Sequence, residues 1–119
     1  MTTAVIAAAV VGIGGSLGAV ARHAVGLRVE GHRSVLLVNT AGSAALGSVL
    51  AAPLASTATL LFGVGFCGAF TTFSSLAVGT VRSTSRDGVW SGAVVAGSNL
   101  VAALAGFLLG SLLVGRLIG

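Results

Sequence analysis

Apolar residues run along this chain in four long blocks, at about 4–26, 34–52, 58–81 and 89–115, each of 19 residues or more. The breaks between them are short and more polar: LRVEGHR (27–33), PLAST (53–57) and RSTSRDG (82–88). A helix of roughly 20 apolar residues crosses the hydrocarbon layer of a bilayer, so each block predicts one membrane-spanning helix. Connections this short force neighbouring helices to run antiparallel. The expected fold is all-α: one four-helix transmembrane domain over residues 1–119, with no linker and no second domain.

Small residues recur four apart within the blocks, at Gly14 and Gly18, Ser43 and Gly47, Gly92 and Ala96, and Gly106 and Gly110. Small residues on one face let membrane helices approach closely, where no hydrophobic force drives them together. Four short helices enclose little volume, so a hydrophilic pathway through such a unit calls for two copies, a dimer. Composition supports the membrane reading. Only 7% of the residues are charged and 55% are hydrophobic, against about 25% charged in an ordinary soluble domain.

The net charge of +4 does not signal nucleic-acid binding, because the six basic residues, all arginine, are scattered over loops and helix ends and form no basic face. They do set an orientation. Arg28, Arg33, Arg82 and Arg86 lie on the side of the first and third loops, against Arg116 on the other. Positive loops stay inside, which places those loops in the cytoplasm and both termini outside the plasma membrane.

Few strongly polar side chains fall within the blocks: Arg22, His23, Asn39, the Thr71–Ser75 cluster, Ser98 and Asn99. A polar group at membrane depth is expensive and marks a functional site by default. Serine and threonine can return a hydroxyl to the backbone one turn back, whereas an asparagine amide needs partners on another helix. Both acids, Glu30 and Asp87, lie in loops. The blocks therefore hold amide, hydroxyl and guanidinium donors without a carboxylate, a set suited to an anion. A proton-coupled exporter of the small-multidrug type, the alternative four-helix reading, needs a buried acid. The lone Cys67 offers neither a disulfide nor a metal set, and no triad of catalytic residues can be assembled, so an enzyme is not expected.

Three motifs, GGSLGAVAR (Gly14–Arg22), VNTAGS (Val38–Ser43) and GFCGAFTTFSS (Gly65–Ser75), together resemble those of the CrcB/Fluc fluoride channels. The resemblance covers the first three blocks, and the fourth matches in hydropathy alone. It implies an antiparallel dimer of four-helix subunits that lets cytoplasmic fluoride leak out passively. It also implies that the third helix breaks near the bilayer middle, where backbone carbonyls of both subunits hold a structural sodium ion. Those carbonyls fall here on Gly68 and Thr71. Two pores are implied per dimer. Asn39 would donate its amide hydrogens to fluoride, and Phe73 would present its electropositive ring edge. Ser74 would add a donor, and Arg22 near the entrance would raise the local anion concentration.

Two features depart from the family pattern. A second pore phenylalanine is replaced by Leu76, and the fourth block lacks the family's tyrosine, offering only Ser98 and Asn99 for its polar track. Asn99 is the candidate there. Taken with the arginine bias, which should fix one orientation, these departures raise the expectation of a heterodimer with an oppositely oriented homologue. A non-conducting partner subunit is the further alternative.

Overall fold

A computed structural model describes residues 2–119. Helix α1 covers Thr2–Arg28 and α2 covers His32–Ala51. The third block is composite: a short α3 (Ser56–Thr59), a π-helical stretch (Leu60–Cys67), α4 (Gly68–Phe70) and α5 (Phe73–Asp87). Helix α6 covers Val89–Ile118. Four stretches, Thr2–Arg28, His32–Ala51, Ser56–Asp87 and Val89–Ile118, are long and apolar enough to cross a membrane. No strand occurs among the described residues.

Local chemistry sets the ends of these helices. Gly31 (φ 67°) and Gly88 (φ 96°) take the left-handed backbone that a side chain disfavours, one after α1 and the other between α5 and α6. Pro53 follows Ala52, whose backbone is extended (φ −83°, ψ 145°). The proline ring disfavours the helical region at the preceding residue, and α2 stops there.

Backbone proximity holds the bundle together. On the α2–α6 seam, a Cβ at Gly47 would strike the carbonyl of Phe107, and one at Gly110 the carbonyl of Ala44. A Cβ at Gly106 would come within 2.8 Å of the Thr40 carbonyl. Helix α1 docks on the π-helical stretch in the same way, with Gly14 facing the Leu61 carbonyl and Gly18 that of Phe66. Gly92 of α6 sits under Thr84 of α5, and beside it the hydroxyls of Ser83 and Ser91 lie 2.6 Å apart. Of the spaced pairs, Gly14/Gly18 and Gly106/Gly110 serve these approaches with both members. In α2 the close positions are Thr40, Ala44 and Gly47, while Ser43 turns toward a groove on another side.

Little apolar surface is hidden within the chain. Val38 and Cys67 are its buried hydrophobic residues, and long rows of leucine and valine on α1 and α6 face outward. Lipid tails are as apolar as leucine, so such rows carry no penalty in a bilayer.

Candidate functional site

The polar centre forms where α2, α6 and the third block meet. Between α4 and α5 two residues leave the helix: Thr71 (φ −81°, ψ 160°) and Thr72 (φ −145°, ψ 116°) are both extended. Asn39, about two turns into α2, reaches the second of them. Its Oδ1 accepts from the Thr72 N–H at 2.7 Å, and its Nδ2 donates to the Thr72 carbonyl at 3.1 Å. This two-point grip fixes which end of the amide is which, because a backbone N–H can only donate and a carbonyl can only accept. The remaining hydrogen on Nδ2 goes to Asn99 Oδ1 of α6 at 2.8 Å.

Both amide hydrogens of Asn39 are thereby engaged. Asn99, only 5% exposed, is orientated by that same bond. Its own NH2 makes no hydrogen bond to a described residue and remains the donor on offer. The three groups come from residues 33 and 60 positions away from Asn39 in sequence.

Thr72 also opens α5. Its Oγ1 accepts from the Ser75 N–H at 3.2 Å, the bond of a helix N-cap. The first N–H groups of α5 have no helical acceptor, and the helix dipole adds partial positive charge at this end. At membrane depth this is a favourable place for an anion.

Cavities flank this node. An apolar groove of about 590 Å³ is lined by Asn39, Asn99, Phe73 and Leu76, with Gly68 and Thr71 on the same wall. Phe73 stands almost free in it, 82% exposed, and nothing outside the local helix lies within 4 Å of where a Gly68 side chain would begin. A second cavity, about 350 Å³, holds Arg22, His23 and Ser34, with Thr72 and Ser75 among its lining. Thr72 thus faces both. A third, about 140 Å³, runs from His32 and Arg33 to Ser98 and Asn99.

The structure therefore gathers Asn39, Asn99, Phe73, Leu76, Gly68 and Thr71 around one groove. Arg22 is exposed and belongs to the second cavity, separated from Phe73 by Thr72. Ser74 is exposed too, its hydroxyl 3.4 Å from that of Thr72. The Thr71 hydroxyl turns back to the Cys67 carbonyl at 2.9 Å. Sequence reasoning passed over the role of Thr72 by treating residues 71–75 as a single polar patch. A threonine immediately before the apolar-periodic run FSSLAVGTV is a helix-start signal and marks the residue that organises this site.

Comparison with known proteins places the chain. The profile of the family described as CrcB-like protein, Camphor Resistance (CrcB), matches residues 9–111. The chain belongs to the CrcB family. Among similar CrcB relatives is a protein of Natronomonas pharaonis named fluoride-specific ion channel FluC 2, 48% identical over 108 residues, covering 89% of each chain. One of the same name from Haloarcula marismortui is 44% identical over 99 residues, covering 81% of this chain and 83% of its own. Another, from Cutibacterium acnes, is 37% identical over 114 residues, covering 83% and 93%.

Proposed function

We propose that this chain is a subunit of a fluoride-selective channel in the plasma membrane, passing cytoplasmic fluoride outward down its gradient. The observation that carries the reading is the node itself: an amide donor left free on Asn99, a helix N-terminus and an exposed aromatic edge converge on one groove with no carboxylate in it. Fluoride leaving water must find donors, and these replace part of its hydration shell. Arg22 and Arg33 stand at the two smaller cavities and draw the anion toward Thr72 and Asn99. Asn39 acts on the ion through Asn99, whose amide it orients. The proton-coupled exporter finds no support, since a buried acid is what it requires.

The groove is open on one side and Phe73 projects from it, which favours a second subunit closing it in an antiparallel dimer. Leu76 leaves one wall of the groove without an aromatic edge, and the arginine bias fixes one orientation with the termini outside. On this reading the second subunit is an oppositely oriented homologue; the number 2 in the relatives' names is compatible with that.

A structural sodium ion between the subunits would be held by the Gly68 and Thr71 carbonyls. Among the described residues no cluster of three or more His, Cys, Asp or Glu could hold a metal, so a cation here depends on backbone oxygens, ligands suited to a hard ion. When bound, it supplies a fixed positive charge that ties the two subunits together.

Expression of the chain with such a homologue in a fluoride-sensitive bacterial strain tests the reading. Tolerance to fluoride should rise when both are present. No gain in tolerance from two well-expressed, membrane-inserted chains would refute it.

A further inference from the structure

In an uninterrupted helix the N–H of Thr72 donates to the carbonyl of Gly68, and the N–H of Ser75 to that of Thr71. Neither bond is made here. The Thr72 N–H goes to Asn39 Oδ1 at 2.7 Å, and the Ser75 N–H to Thr72 Oγ1 at 3.2 Å. Two side chains thus take up the two amides that would otherwise occupy two particular carbonyls. Neither of these two N–H groups is orphaned, whereas those of Phe73 and Ser74, between them, open α5 without a helical acceptor. On the acceptor side the carbonyls of residues 68 to 71 all lose their helical donors, a costly state at membrane depth unless something else binds them. Those of Gly68 and Thr71 are the two whose donors a side chain has taken.

We propose that Asn39 and Thr72 are positioning residues whose side chains bare the Gly68 and Thr71 carbonyls for the central cation. This rests on the sodium site put forward above. Asn39 reaches its target from α2, and the 8% exposure of both Asn39 and Thr72 keeps water from competing for the diverted amides. Asn39 thereby links two tasks, since the same amide orients Asn99 in the groove. The sodium site and the anion path of one subunit share a single side chain.

The test is thermal unfolding of the purified channel across a sodium titration, with N-methylglucamine as the replacing cation. Asn39→Ala and Thr72→Val should each raise the sodium midpoint by about 10- to 100-fold, the usual effect of removing a group that orients a metal's ligands. Thr72→Ser keeps the hydroxyl that accepts from the Ser75 N–H and should hold the wild-type midpoint to within a few fold. If Asn39→Ala fails to fold, the Thr72→Val and Thr72→Ser pair decides alone. An unchanged midpoint in Thr72→Val and in any folded Asn39→Ala would overturn the inference while leaving the sodium site standing. A wild-type channel that ignores sodium would overturn both.

Discussion

Helix α2 takes part in two contacts that work by opposite means. Along its seam with α6, the Thr40, Ala44 and Gly47 side is pressed against Gly106, Phe107 and Gly110, carbonyl against glycine. The seam even tolerates a buried Thr40 hydroxyl with no hydrogen-bond partner, the one such side-chain atom among the described residues. One residue earlier, at Asn39, size counts for little and each atom is assigned: Oδ1 to an N–H, one amide hydrogen to a carbonyl, the other to Asn99. The seam is specified by what is missing from the side chains, the node by what two of them carry. A fault in the first should therefore cost the fold, and a fault in the second should cost the function.

The sharpest way to break the seam is Gly110→Leu, which drives a side chain into the Ala44 backbone. Backbone cannot give way as a side-chain tip can, so destabilisation of about 3 kcal/mol or more is expected, read as lost yield of monodisperse protein and a lowered unfolding temperature. Asn99→Ala should act in the other sense. It removes the free donor, leaves the Asn39 grip on Thr72 in place, and lowers fluoride efflux about tenfold, the worth of one hydrogen bond of about 1.4 kcal/mol, with the fold retained. A loss of folded protein equal to that of Gly110→Leu would erase the distinction between the two regions. The smallest effect belongs to Gly97→Ala on α6, where a Cβ meets nothing within 4 Å. It should be neutral or stabilise by less than about 1 kcal/mol in thermal unfolding, since alanine favours a helix over glycine.

The same contrast explains how far the sequence could be read. Four apolar blocks and short polar breaks were enough for the helices, because length and hydropathy alone decide what spans a membrane. The observed helices overrun the expected blocks by a few residues, as with α6, which continues to Ile118. Polar ends such as His32 and Arg33 are helical without being apolar. The glycine pairs Gly14/Gly18 and Gly106/Gly110 were legible from spacing, since close approach repeats with the helical turn. Ser43 was not, because four-residue spacing fixes a face without saying which neighbour it meets.

The node was legible only as a set of residue types. Asn39 and Asn99 stood out by type, and Phe73, Gly68 and Thr71 through the family resemblance, but the bond from Asn39 to Thr72 joins α2 to the third block through two backbone atoms, and backbone atoms have no sequence signature. The π-helical turns of Leu60–Cys67 were invisible for the same reason. Arg22 stood out as a polar residue within a span and was placed near a pore entrance by the family motif; it lines a separate cavity that shares Thr72 with the groove of Phe73.

The central claim, that this chain conducts fluoride as half of an oriented pair, is tested most directly by fluoride efflux from liposomes, followed with a fluoride-selective electrode under a potassium–valinomycin clamp. The chain reconstituted with an oppositely oriented homologue should release fluoride rapidly and retain chloride, and the chain alone should release far less. Absence of fluoride efflux from folded protein in both preparations, or equal release of chloride, would contradict it.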